Sequence, residues 1–179
     1  GVRLAGVNSI NWARVLAQVV YYFSSAVALG APHREVSFTV PTGNFGDIFA
    51  GYIAKRMGLP IDRLVIATNQ NDILHRAITT GRYDTSVVEP TITPSMDIQV
   101  SSNFERALFD AYGRDGYAIT RLMGELKQGG FGIDKEARLT LQKYFDSGRA
   151  TEKETSMIIK SMFQVTGEVL CPHTAVGVK

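Results

Sequence analysis

Val36-Ser37-Phe38-Thr39-Val40 leads directly into Pro41-Thr42-Gly43-Asn44-Phe45-Gly46, and a helical pattern then runs over residues 47–57 until Gly58 and Pro60 end it. A short run rich in β-branched and aromatic residues, bounded by Pro and Gly, predicts a strand. A second apolar run, Leu64-Val65-Ile66-Ala67, is followed by Asn69-Gln70-Asn71 and a helical pattern over residues 72–80 that Gly81 closes. Two such runs separated by a helix-length spacer predict adjacent parallel strands in a right-handed βαβ unit over residues 36–80. The fold class that follows is α/β, an open parallel sheet in three layers with flanking helices.

Upstream, Val15, Leu16, Val19, Tyr22, Phe23, Ala26 and Val27 recur at steps of three and four, which predicts a helix from about Ile10 to Leu29. Asn8 or Ser9 is available as its N-cap, and Gly30 and Pro32 stop it. Downstream, periodicity is lost between Gly81 and Ser101, where Pro90, Pro94 and several Thr and Ser predict a long irregular connection of the kind that carries function. Helical patterns return around residues 103–112, 117–126, 134–145 and 151–165, the last opening with the capping-box spacing Thr151 to Glu154. Gly129-Gly130-Phe131-Gly132 reads as a turn between two of these helices.

Composition narrows the classes. The chain has 179 residues, enough for one domain, and 45% hydrophobic against 20% charged residues excludes a disordered chain. Lys and Arg exceed Asp and Glu by two, with both signs dispersed, so neither a nucleic acid nor an anionic membrane is an expected partner. The longest apolar stretch, residues 15–29, is interrupted by Gln18, Ser24 and Ser25 and is shorter than the roughly 20 residues a spanning helix needs. Cys171 is the lone cysteine, which excludes an internal disulfide or a cysteine-rich zinc site and makes a cytoplasmic protein the expectation.

A glycine loop between a strand and a helix gathers backbone N–H groups at the positive end of the helix dipole, where a phosphate is the natural guest. The spacing Gly43-Asn44-Phe45-Gly46-Asp47 has neither the Gly-Lys-Ser/Thr of a nucleoside-triphosphate loop nor the G-x-G-x-x-G of a dinucleotide fold. By local pattern alone, a phosphate cradle and a plain strand-to-helix turn holding nothing both stand. Asp47, in the first turn, favours the dipole and reads as a cap and not as a ligand.

The phrase Val40-Pro41-Thr42-Gly43-Asn44-Phe45-Gly46-Asp47 resembles the phosphate-binding loop of the threonine synthase family, pyridoxal-phosphate enzymes of the tryptophan synthase β-like fold. Three further stretches resemble the same family in the same order: Asn8-Ser9-Ile10-Asn11-Trp12-Ala13-Arg14; Pro94-Ser95-Met96-Asp97-Ile98 with Ser101-Ser102-Asn103-Phe104-Glu105-Arg106; and Pro172-His173-Thr174-Ala175. The resemblance implies conversion of O-phospho-L-homoserine and water to L-threonine and phosphate, the last step of threonine biosynthesis, with pyridoxal 5'-phosphate as cofactor. It also implies that residues 1–179 are a central segment of the cofactor-binding catalytic domain, with further N-terminal and C-terminal parts in the parent. The lysine that forms the Schiff base is expected outside this segment, so no catalytic residue is assigned within it.

Carried over residue by residue, the resemblance assigns Gly43, Asn44, Phe45 and Gly46 to the cofactor phosphate. Thr174 would meet the pyridine nitrogen, and Asn8, Ser9 and Arg14 would take the substrate phosphate. Local pattern alone reads Asn8 and Ser9 as helix caps and Arg14 as a solvated helix face. Ser95, Asp97, Ser102 and Asn103 either line the site or cap the helix that follows them. Cys171 stands where the family pattern has an acidic residue and reads as a buried small apolar side chain. Two alternatives stay open: a phosphate-binding α/β module without chemistry, and another pyridoxal-phosphate elimination enzyme of the same fold.

Overall fold

The computed structural model describes residues 8–179. The chain runs α1 (Trp12–Ala28), β1 (Val36–Pro41), α2 (Gly46–Arg56), β2 (Ile61–Thr68), α3 (Ile73–Thr80), β3 (Arg82–Asp84) and a 3-10 turn (Pro94–Met96). It continues through α4 (Phe104–Ala111), α5 (Gly116–Leu126), β4 (Gly130–Gly132), α6 (Lys135–Gln142), β5 (Phe145–Arg149), α7 (Glu152–Thr166) and α8 (Pro172–Val178).

β1 and β2 pair in parallel, Val40 beside Ile66, with α2 between them in sequence, so the βαβ unit read from the sequence is present. β5 adds to the other side of β2, also parallel, to give the order β1-β2-β5. Strand alternation sorts the side chains. Val40, Leu64, Ile66 and Phe145 point to one face and are buried under α1 and α2, and Thr39 and Pro41 point to the other, where Gly177 of α8 lies against them. Helices, sheet and α8 make the three layers. Ile48, Leu64, Ile66 and Phe145 are at most 1% exposed, and each contributes about 1.5–3 kcal/mol by leaving water. Gly51 is the contact point of α1, α2 and the sheet, since a Cβ there would stand 2.6 Å from the Tyr22 ring and 2.9 Å from Leu64.

Three local expectations are corrected. α1 is capped by Asn11, whose side chain accepts the Ala13 N–H at 2.9 Å, and not by Asn8 or Ser9. The stretch at 129–132 is not a simple turn: it holds β4, which pairs antiparallel with β3, and Tyr83 and Phe131 stack there at 4.9 Å between ring centroids. Cys171 is exposed, not buried, because it immediately precedes the surface helix that Pro172 begins, and its Sγ lies 3.6 Å from His173 Nδ1.

Candidate functional site

The glycine loop sits at the carboxyl end of β1 and opens α2, the place where parallel α/β sheets hold ligands. Its carbonyls are engaged on the protein side. Ser101 Oγ donates to the Gly43 carbonyl at 2.8 Å, and the Asn103 N–H and Nδ2 donate to the Asn44 carbonyl at 3.1 and 2.8 Å. The Phe45 carbonyl accepts the Phe49 N–H at 3.0 Å as the first helical bond. In a trans peptide the N–H points opposite to the C=O. Pinning these three carbonyls therefore turns the N–H groups of Asn44, Phe45 and Gly46 the other way, and they donate to no acceptor among the described residues. Phe45 makes the turn with φ 63°, a left-handed conformation that is costly for a residue with a side chain. Its ring offsets that cost: it is 1% exposed and packs edge-on to Phe104 and Phe145, with centroids 5.2 and 5.3 Å away.

Gly43 is required for a reason closer than any ligand, since a Cβ there would overlap the Ser95 carbonyl oxygen. The Ser95 N–H in turn donates to His173 Nε2 at 3.3 Å. That bond leaves the proton of a neutral imidazole on Nδ1, facing Cys171. Ser95 thus ties the Pro94 turn, the glycine loop and the start of α8 into one corner. Thr174, next along α8, is exposed.

The Asn8 segment reaches the same corner. The Ile10 N–H donates to Asn8 Oδ1 at 3.1 Å, which leaves the two hydrogens of Asn8 Nδ2 as its available donors. The Ser9 carbonyl accepts from Asn103 Nδ2 at 2.8 Å. Because Asn11 caps α1, the Ser9 hydroxyl is released from the capping role that local pattern gives it. Arg14 is exposed on the first turns of α1. Gln18, one turn further along, holds in Oε1 a buried side-chain polar atom without a hydrogen-bond partner among the described residues, and that atom lies 3.8 Å from where a Cβ on Gly46 would stand.

Asp47 lies in the first turn of α2 but is not its cap: the N-cap position is Phe45, and no side-chain capping bond is made there. Burial pushes its carboxyl above the ordinary range, with the Tyr22 hydroxyl opposing, and the same hydroxyl donates to the Asp47 carbonyl at 3.0 Å. Asp97, a possible site residue by pattern, is instead the buckle of the irregular connection. Its carboxylate accepts from Asn69 Nδ2 at 2.6 Å, the Thr91 N–H at 2.7 Å, Thr91 Oγ1 at 2.8 Å and Asn71 Nδ2 at 3.1 Å. The two residues that pattern reading undervalued are Ser101 and Asn103. They bind the loop from 58 and 59 positions away, and Asn103 also reaches back 94 positions to Ser9.

The lysines lie elsewhere. Lys55 donates to the Asp62 carbonyl at 2.9 Å, at the end of the sheet away from the glycine loop, and Lys127, Lys135, Lys143, Lys153 and Lys160 are exposed. Lys179 pairs with Glu154 at 2.6 Å.

The sequence is 53% identical to a threonine synthase of Pseudomonas aeruginosa, over all of this chain and 38% of that protein. It is 47% identical to the threonine synthase of Saccharomyces cerevisiae, over 98% of this chain and 37% of the other. A crystal structure of a PLP-bound threonine synthase from Brucella melitensis superposes with a TM-score of 0.96 at 59% identity, over 98% of this chain and 38% of that one. Over its whole length the chain is similar to one segment of threonine synthases. The threonine synthase of Escherichia coli, at 28% identity, still superposes with a TM-score of 0.71. No protein-family model matches the chain. The chain spans about 38% of the length of the threonine synthases it matches. Its fold is thereby that of threonine synthases, a tryptophan synthase β-like fold.

Proposed function

We propose that this chain is the central segment of a threonine synthase that hydrolyses O-phospho-L-homoserine to L-threonine and phosphate, with pyridoxal 5'-phosphate as its cofactor. One observation carries the reading: the inward-facing carbonyls of Gly43, Asn44 and Phe45 are all engaged, while the N–H groups of Asn44, Phe45 and Gly46 are left facing outward at the start of α2. Such an array suits a dianionic phosphate without any cation from the loop itself. The orphaned Gln18 oxygen beside Gly46 fits too, since a turn of its carboxamide brings Nε2–H to that side.

Bound there, the cofactor supplies an electron sink for the carbon acid of the substrate. The residues of this chain bind and orient. Gly43 to Gly46 hold the cofactor phosphate, and the Thr174 hydroxyl meets the pyridine nitrogen without protonating it. Asn8 Nδ2, the Ser9 hydroxyl and the Arg14 guanidinium grip the phosphate of the substrate, a fork of charge with two neutral donors beside it. The Schiff-base lysine belongs to another part of the full-length protein, in keeping with the exposed or carbonyl-bound lysines of this one. A cytosolic location is part of the same reading, supported by the lone, free Cys171. No helix among the described residues is long and apolar enough to cross a membrane.

The test is phosphate release from O-phospho-L-homoserine by the full-length protein, with L-threonine identified as the product. Arg14→Ala should chiefly raise KM if the guanidinium grips ground and transition states equally. A full-length protein that takes up pyridoxal phosphate but yields another amino acid would transfer the reading to a different elimination enzyme of the same fold.

A further inference from the structure

Asn103 is completely buried and spends all three of its N–H donors on one junction. The two hydrogens of Nδ2 go to the Ser9 and Asn44 carbonyls, both at 2.8 Å, and its backbone N–H goes to the Asn44 carbonyl at 3.1 Å. Oδ1 accepts from Arg106 Nη1, one turn along α4. Arg106 completes a second strap: its Nη2 donates to the Ile10 carbonyl at 2.8 Å, and its guanidinium lies over the Trp12 ring at 5.5 Å. Although Asn103 stands at the N-cap position of α4, its side chain makes no capping bond. An Asn in that place would ordinarily accept from the first-turn N–H groups. Here the carboxamide gives up the cap and faces the glycine loop and the Ser9 segment.

Two peptide planes are fixed as a result. Holding the Asn44 carbonyl aims the Phe45 N–H into the cradle, and holding the Ser9 carbonyl aims the Ile10 N–H at Asn8 Oδ1, which in turn commits Asn8 Nδ2 to face outward. We propose that Asn103, braced by Arg106, is a positioning residue that sets the spacing between the cofactor-phosphate loop and the segment Asn8–Ser9 that takes the substrate phosphate. One side chain therefore governs the affinity of both anions. The inference rests on the functional reading above and assigns a role that reading leaves open.

The experiment uses the full-length protein. Pyridoxal phosphate affinity is measured by fluorescence titration of the apoprotein, and KM and kcat for O-phospho-L-homoserine are measured at a temperature where circular dichroism shows each variant folded. Asn103→Ala and Asn103→Asp should weaken pyridoxal phosphate and raise KM together, each by roughly tenfold or more, because the Ser9 carbonyl loses its Asn103 donor and the Asn44 carbonyl keeps only the Asn103 backbone N–H. Arg106→Gln removes the brace on Asn103 Oδ1 and slackens the strap to Ile10, and should move both constants in the same direction by a smaller factor. A folded Asn103→Ala with both constants unchanged overturns the proposal, as does a change in only one of them. If the Asn103 variants do not fold, Arg106→Gln decides alone: a rise in KM together with weaker cofactor binding supports the proposal, and any other result overturns it. Wild-type protein that binds neither ligand would instead overturn the functional reading, and the proposal with it.

Discussion

At Gly43 the backbone passes so close to the Ser95 carbonyl oxygen that no side chain fits. Gly43→Ala must push the Pro94 turn away from the loop, and should destabilise the protein by about 1–3 kcal/mol as overpacking does, measured by urea unfolding, while weakening pyridoxal phosphate. Phe45 presents the opposite balance, a strained backbone held by a buried ring. Phe45→Ala removes the ring and keeps the strain, and should cost about 3–5 kcal/mol, more than Gly43→Ala. Asp47 gives a pH signature. Burial raises its carboxyl above the ordinary value, so the folded state holds a proton that the unfolded chain gives up between the two values. Stability therefore falls as pH rises from the ordinary carboxylate value, near 3.8, through the raised one. Asp47→Asn should be more stable than wild type at neutral pH, with the gain vanishing below that window. A difference in unfolding midpoint that does not change with pH would contradict this.

Among the elements, the irregular connection depends on one carboxylate. Asp97→Asn can keep an oxygen toward Asn69, Asn71 and the Thr91 hydroxyl, but it then turns its amide nitrogen onto the Thr91 N–H and leaves that donor unpaired, and should lower stability by about 2 kcal/mol or more in thermal unfolding. It should also loosen the Pro94 turn, and with it Gly43 and His173. β1, α2, β2 and α3 were legible because apolar runs and glycine stops mark them within the local sequence. β5 was not, since Phe145-Asp146-Ser147-Gly148-Arg149 carries a single apolar residue and owes its extended form to pairing with β2. β3 and β4, three residues each, likewise exist through each other. The N-cap of α1 was misplaced because Asn8, Ser9 and Asn11 are equally suited by type, and the choice depends on the turn that the Asn11 N–H makes to the Asn8 carbonyl. In the site, the glycine loop was legible as a strand-to-helix junction, and the family resemblance picked out the Asn8, Ser95 and His173 stretches that meet it. The clamp of Ser101 and Asn103 was not legible, because side chain to carbonyl bonds across 58 to 94 positions leave no periodic trace.

For the whole molecule, three layers bring four separated stretches to one corner at the carboxyl end of β1: Asn8–Ser9, Gly43–Gly46, Ser95 with Ser101–Asn103, and His173. Hydrogen-bonding groups converge there and no lysine does. The isolated 179-residue chain should accordingly bind pyridoxal phosphate weakly and form no borohydride-fixable link to it, whereas the full-length protein should do both. Fixation of the cofactor to the isolated chain, abolished by replacing one of its own lysines, would show the assignment of that lysine to be wrong. The central claim is that the outward N–H groups of Asn44, Phe45 and Gly46 hold the cofactor phosphate. A crystal structure of the full-length protein with pyridoxal 5'-phosphate tests it most directly. Phosphate oxygens are expected about 3 Å from those three nitrogens, with the Ser101 and Asn103 bonds to the loop carbonyls intact. A phosphate bound elsewhere, with the loop N–H groups turned onto protein carbonyls, would contradict it.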